Sequence, residues 1–312
     1  MPQTDYETSS EQGIHAKMSP TLMTFGHAKS LRLCEKSHGF FHTGEGSWRT
    51  PGGFFLRPKN RTKYQYDANG NRQGTDSGYT VASTGDNQMA TGAGYTYQYD
   101  GEGNRVARWV NVNGGTETSP QPNDEQITTY KWDNRNRLVE VDTFDNYTDY
   151  SAATPSPTQV VKYSYDYANR WLGETVTTIG ETTTVVQRRF VYDGNQIVLE
   201  FEKDATGDLV GSDLKHRDLW GAAVDQLLAQ ESVSGQNSSG SVLWALTDNL
   251  NTVRDLASSD GTTTTIAEHR IYDAFGVQTS PTASVVDCIF GYTARPTSKA
   301  TGLQNNLNRW YE

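Results

Sequence analysis

From residue 62 onward the chain is written in short runs where aromatic and aliphatic residues stand two apart, separated by polar stretches rich in Asp, Asn and Gly. Side chains two apart on an extended strand share one face. Runs such as Tyr97-Gln98-Tyr99 and Val160-Val161-Lys162-Tyr163-Ser164-Tyr165 therefore predict strands. Asp100 ends the first of these, and its carboxylate can accept hydrogen bonds from backbone N–H groups two residues on. Gly103 stands three residues later, where a type I turn closing a hairpin needs positive φ. Arg105 then opens the return strand. By the same reading Trp171 to Val176 returns across the turn that starts at Asp166, and Thr182 to Tyr192 pairs with Ile197 to Phe201.

The phrase repeats. Tyr64-Gln65-Tyr66-Asp67 leads to Gly70, Tyr130-Lys131-Trp132-Asp133 to Asn136, and Tyr163-Ser164-Tyr165-Asp166 to Asn169. Asp67, Asp100, Asp133 and Asp166 are spaced by 33 residues each time. Looser copies follow at Asp193, at Asp248 with Asn251, and at Asp273 with Gly276; at Asp193 the Gly194-Asn195 pair comes at once. Gly and Asn enter the left-handed region at least cost, so backbone geometry selects the third position. A fixed period of this length predicts a repeat array, in which no unit can bury its face alone. The paired rings Tyr64 and Tyr66, Tyr97 and Tyr99, Tyr130 and Trp132, Tyr163 and Tyr165 are expected to stack as an aromatic ladder along the array.

Composition narrows the class. With 29 Gly, 17 Tyr and only 34% hydrophobic residues, the chain suits many short strands and tight turns, with little for long helices. A net charge of −10 matches a phosphate backbone poorly, so nucleic acid is not an expected partner. Two cysteines, Cys34 and Cys288, make no disulfide framework. No apolar run is long enough to span a membrane as a helix, and the N-terminus has no secretory signal pattern.

Residues 1–60 carry no repeat and read as a poorly ordered leader unrelated to the rest. Cys34, His38 and His42, with His27 upstream, are zinc-ligand types at helical spacing. Gly39-Phe40-Phe41 disfavours that helix and a fourth ligand is missing, so no metal is expected. Residues 61–216 read as the repeat array and 217–312 as a region of different phrasing, with Arg217-Asp218-Leu219-Trp220-Gly221 at its start.

The phrase Tyr-x-Tyr-Asp-x-x-Gly-Asn-Arg resembles the YD repeat of bacterial Rhs (rearrangement hot spot) proteins. The order from Phe190 onward resembles the Rhs repeat-associated core region: Tyr192-Asp193-Gly194-Asn195, Asp225-Gln226-Leu227-Leu228, Thr247-Asp248, Tyr272-Asp273-Ala274-Phe275-Gly276, Phe290-Gly291-Tyr292 and Arg309-Trp310-Tyr311. The resemblance covers roughly 62–312. It implies an all-β fold of hairpins laid into a long, curved antiparallel sheet, part of a hollow shell around a C-terminal polypeptide that is often a toxin. It also implies a secreted or cell-surface setting. In the family, a motif after the Arg-Trp-Tyr phrase carries the aspartates implicated in self-cleavage. On that reading this chain is a truncated member with its core region incomplete, and no catalytic residue carries over.

Turn capping explains Asp67, Asp100, Asp133 and Asp166 together, since a catalytic site needs a unique convergence of groups. No catalytic residue, cofactor or metal is therefore expected. The leading reading is a non-enzymatic segment of a shell, whose partners are the remainder of the wall or an enclosed polypeptide. The alternative is a module that holds a cell-surface glycan or cell-wall polymer on exposed rings, with Trp109, Trp132, Trp171, Trp220 and Trp244 as its platform.

Overall fold

The computed structural model describes residues 63–312 apart from 74–77, 82–86, 115–116 and 280–285. Before residue 63 it describes the short strands β1 (Tyr6–Glu7), β2 (Phe41–Thr43), β3 (Ser47–Arg49) and β4 (Phe55–Leu56). The chain forms two compact units, 1–93 and 94–312. In the first, β1 pairs with β5 (Lys63–Tyr66), which pairs with β6 (Arg72–Gln73). Strands β2, β3 and β4 form a second antiparallel group, and β7 (Thr80–Val81) pairs with β8 (Met89–Gly92). The expected leader over 1–60 falls outside the described residues except for those four strands. So do Cys34, His27 and His38 and the side chain of His42.

In the second unit thirteen strands lie side by side in the order in which the chain makes them. They are β9 (Tyr95–Tyr99), β10 (Arg105–Val110), β11 (Glu125–Trp132), β12 (Leu138–Asn146), β13 (Gln159–Tyr165), β14 (Trp171–Thr178) and β15 (Thr184–Asp193). They continue with β16 (Gln196–Lys203), β17 (Leu214–Trp220), β18 (Leu227–Ser232), β19 (Ser241–Thr247), β20 (Val253–Ser259) and β21 (Thr264–His269). Every neighbouring pair is antiparallel, so the all-β antiparallel expectation describes the fold. The change of phrase at residue 217 falls inside β17. Among the described residues no helix is long and apolar enough to cross a membrane.

The hairpins β9–β10, β11–β12, β13–β14, β15–β16, β17–β18 and β19–β20 each carry one extra residue on the return strand. Trp132 pairs with Leu138 but Lys131 with Glu140, leaving Val139 as a bulge. Leu172 and Arg254 take that place in later hairpins. Two residues opposing one re-aim the strand end and disturb the ladder there.

Alternation sorts the side chains onto two faces. On one, Tyr130, Val141, Val161, Tyr163, Trp171, Phe190, Ile197, Leu227, Val253 and Leu256 form the main core. The chain's last stretch closes over it with Ile289, Phe290, Ala294 and Leu303 buried, and ends in the hairpin β22 (Gln304–Asn306) and β23 (Arg309–Tyr311). On the opposite face Ala107, Trp109, Ile127 and Phe144 pack beneath Tyr147 and Tyr150 of helix α1 (Tyr147–Ser151).

Candidate functional site

The repeated aspartate builds its turn with both carboxylate oxygens. Asp133 Oδ1 accepts the backbone N–H groups of Arg135 (2.9 Å) and Arg137 (3.0 Å), and Oδ2 accepts Arg137 Nε (2.7 Å). Asp67, Asp100, Asp166, Asp248 and Asp273 hold the N–H groups two and four residues on in the same way. The residue three after each is left-handed: Gly70 (φ 85°), Gly103 (84°), Asn136 (55°), Asn169 (66°), Asn251 (60°) and Gly276 (90°). At Asp67 the side chain and backbone of Asn71 hold the carboxyl below its ordinary range. At Asp133, Asp166 and Asp248 partial burial pushes the carboxyl up. Arginine side chains and backbone N–H groups outweigh it, so all three stay below the ordinary range.

The aromatic residue just before the turn reaches back to the preceding hairpin. Trp132 Nε1 donates to the carbonyl of Arg105 (2.8 Å), the Tyr165 hydroxyl to that of Leu138 (2.5 Å), the Tyr192 hydroxyl to that of Trp171 (2.7 Å), and Trp220 Nε1 to that of Ile197 (2.6 Å). The physical reason lies in the bulge. The β12–β13 ladder runs only to Glu140 and Lys162, so the Leu138 carbonyl lies beyond it and takes a side-chain donor instead. Arginines of the turns cap the rings: Arg105 stands 4.4 Å from the Tyr130 centroid, Arg137 5.0 Å from Tyr165, and Arg170 5.0 Å from Tyr192. Successive repeats are thus joined by hydrogen bonds and cation–π contacts. The ring-on-ring contacts described for the expected ladder residues are those of Tyr163 with Trp171 (6.1 Å) and Trp310 (4.7 Å). Tyr66, Tyr97 and Tyr99 are half-buried, and the side chain of Tyr64 lies outside the described residues.

The covered face also carries a buried polar strip. Glu174, Arg188 and Glu202 face one another across β14, β15 and β16, with Arg188 donating to both carboxylates (3.1 and 2.6 Å). Ser298 of the last stretch donates to Glu174 (2.7 Å), and Tyr163 shares a hydrogen bond with Thr301 (2.7 Å). Further along, Gln230 Nε2 donates to Glu200 (3.2 Å) and to Asp218 (3.1 Å), both buried. Burial, and after it the neighbouring Glu200 charge, push Asp218 well above the ordinary carboxylate range. Arg270, also buried, donates to Glu268 (2.8 Å) and to the Phe290 carbonyl (2.7 Å), tying β21 to the last stretch. Burial pushes the Cys288 thiol up to about 12 and holds the Lys299 amine down at about 8.

A cavity of about 600 Å³ opens at the far end of this face. Its floor is the cross-strand row Arg108, Thr128, Thr143, Gln159 and Thr178, with Tyr95, Tyr130 and Thr301 as walls. The volume suits a small ligand, yet its one cation, Arg108, is held by Glu312 and lies over the Tyr95 ring (4.4 Å). Among the described residues no group of three or more His, Cys, Asp or Glu side chains is placed to hold a metal ion.

Of the five tryptophans considered as a platform, Trp109 and Trp171 are buried, and Trp132 and Trp220 spend their N–H groups on carbonyls. Trp244 stands open. Sequence reasoning left out Glu174, Arg188, Glu200, Gln230, Ser298 and Arg270, because each takes a partner distant along the chain. It also left out Gly173: a Cβ there would lie 2.1 Å from the Arg188 carbonyl oxygen, and φ is 148°. The signal available for Gly173 was a glycine inside a strand, which marks close backbone approach.

No protein-family model matches the sequence, and no curated protein matches it. Solved structures with a similar trace include crystal structures of TcdB2-TccC3-TEV and TcdB2-TccC3-Cdc42. The first has a TM-score of 0.35 and 13% identity over 85% of this chain and 16% of that chain, the second 0.36 and 15% over 87% and 16%. The structure of a Photorhabdus luminescens Tc holotoxin pore is similar at 0.31 and 12%, over 85% and 15%. The chain spans about a sixth of the length of these chains, and likeness at these TM-scores carries no functional argument.

Proposed function

We propose that the chain is a non-enzymatic wall segment of the Rhs type, whose sheet holds polypeptide against one face. The observation that carries this reading is internal: the sheet already holds a stretch of the chain's own polypeptide. Residues 286–312 lie on residues 70 or more positions upstream, through Trp310 on Tyr163 and Trp171, Ser298 on Glu174, and Arg295 on Asp225 (2.8 Å). Strands in sequence order, each hairpin fastened to the one before, make a surface that extends by adding units. The YD-phrase resemblance supplies the class, with the remainder of a shell or an enclosed polypeptide as partner and a secreted or cell-surface setting.

A reporter polypeptide with no fold of its own, fused after Glu312, tests the proposal. Slower protease digestion of the fused reporter than of the free one supports enclosure. Digestion at the free rate, together with retention of the full chain on a peptidoglycan or polysaccharide column, would move the reading to glycan binding. The polar floor of the 600 Å³ cavity is the feature that favours that second reading.

A further inference from the structure

The cavity of about 600 Å³ over β10 to β14 is lined by groups with bonding capacity left over. Register sets Thr128 beside Thr143, Thr143 beside Gln159, and Gln159 beside Thr178, so one row of polar side chains crosses four strands. Among the described residues, none of these four side chains makes a hydrogen bond. Thr128 is buried, Thr143 and Gln159 are half-buried, and Thr178 stands exposed at the open end. Polar side chains that deep in a protein ordinarily have a partner. A run of hydroxyl and amide groups that pair neither with one another nor with the backbone is left to bond what enters the space. At the same end Asp145 accepts only from the Thr158 hydroxyl (3.3 Å), which leaves its second oxygen as a further acceptor.

We propose that this cavity binds a neutral saccharide, whose hydroxyl groups are met by Thr128, Thr143, Gln159 and Thr178. The first argument is charge. Arg108 is the cation of the lining, and it is spent on Glu312 and on the Tyr95 ring (4.4 Å), so a phosphate or carboxylate ligand finds no free counter-charge. The second is bonding type. Threonine hydroxyls and a glutamine amide each donate and accept, as sugar hydroxyls do. The third is the rest of the lining. Tyr95, Tyr130 and Val141 add apolar surface for the C–H groups of a sugar ring, and the volume lies in the range of small-ligand sites. The sheet itself argues against a peptide here. Strands β10 to β14 are each paired on both edges, so a bound segment finds no free ladder for its backbone.

The site gives residues to the glycan alternative and does not rest on the wall reading. A fused reporter digested at the free rate leaves it standing, and an empty cavity leaves enclosure standing. Calorimetric titration of the full chain with cellotriose, maltotriose and chitotriose, each to about 10 mM, should show at least one binding with millimolar or tighter affinity. Thr143→Val and Gln159→Leu should each weaken it about fivefold or more, the worth of one lost hydrogen bond, with the melting transition unchanged. If either variant does not fold, Thr178→Val at the exposed end of the row reads the same site. Binding of a trisaccharide supports the site whether or not the chain is also retained on the matching insoluble polymer, and that retention tells a polymer ligand from a free sugar. No binding of any of the three overturns the proposal, as does an affinity that the variants leave intact. Tighter binding of glucose 6-phosphate than of glucose also overturns it, since the ligand would then be an anion.

Discussion

Trp310 donates its indole N–H to the hydroxyl oxygen of Tyr165 at 2.8 Å, across 145 residues of sequence. That hydroxyl in turn donates to the Leu138 carbonyl of the preceding hairpin (2.5 Å). The last strand of the chain is thus wired into the same fastening that joins one repeat to the next, and Tyr163 and Trp171 hold its ring on two sides.

Trp310→Ala removes both ring contacts and the hydrogen bond. A large-to-small change at a half-buried ring should cost about 2–4 kcal/mol, below the range for a fully buried tryptophan. Trp310→Phe keeps the ring contacts and should cost about 1 kcal/mol, the net worth of one hydrogen bond. Urea midpoints of the two variants check the split; a Trp310→Phe midpoint equal to the wild type would show that Tyr165 gains nothing from the indole, and equal losses would show that the ring contacts add nothing.

Gly173→Ala should be far worse than its size suggests. The added methyl would meet the Arg188 backbone at 2.1 Å in a backbone conformation that L residues rarely adopt. Loss of more than about 3 kcal/mol, or failure to accumulate as folded protein, is expected. A soluble Ala variant melting like the wild type would show that β14 and β15 can part at no cost.

At the Asp133 turn the two ends of the motif separate by substitution. Asp133→Ala frees two backbone N–H groups and the Arg137 side chain, and should cost about 1–2 kcal/mol. Asn136→Ala should cost about 1 kcal/mol through its positive φ, while Asn136→Gly should be nearly neutral. Because the folded-state carboxyl is depressed, its contribution is present above the unfolded value near about 3.9 and is lost as pH falls through the folded value. The gap between wild type and Asp133→Ala, followed by chemical denaturation, should therefore close in acid.

Asp218 has the opposite sign. Its folded carboxyl is raised, so between the unfolded and folded values the native state binds more protons. Stability then falls as pH rises through that window and is level above it. Asp218→Asn removes the penalty and keeps a neutral group beside Gln230. The variant should gain on the wild type in urea titrations as pH rises above the unfolded value near about 3.9. A gap that shrinks with rising pH would show that the Asp218 carboxyl is not raised in the folded state.

Cys288 offers a probe of the covering stretch. With Cys34→Ser as background, the buried thiol, pushed up to about 12, should resist an aromatic disulfide reagent at pH 8 in the native protein. Trp310→Ala should raise its rate by tenfold or more. Fast reaction in the parent would mean that the stretch opens readily without the substitution.

Much of the second unit can be read from local residues. The carboxylate at Asp133 reaches the N–H groups of Arg135 and Arg137, and Asn136 supplies the left-handed backbone, all within one turn of chain. The antiparallel order follows, since hairpins joined by short turns pair with their neighbours in sequence. The aromatic positions were visible too, but their use was not. Period-two spacing places Tyr163 and Tyr165 on one face, yet it does not say that the Tyr165 hydroxyl leaves its neighbours for a carbonyl 27 residues upstream.

The sequence by itself determined the turns, the hairpins and their order, because those depend on contacts a few residues apart that the chain makes wherever it lies. Only the tertiary structure decided which face is covered and which is left open. It also decided that Glu174 meets Ser298, that Asp218 lies buried beside Gln230 and Glu200, and that Gly173 must have no side chain. Each depends on what a strand or the last stretch brings to the site from afar. Burial, which sets the cost of an unpaired charge and the reward for an apolar ring, is a property of the assembled sheet.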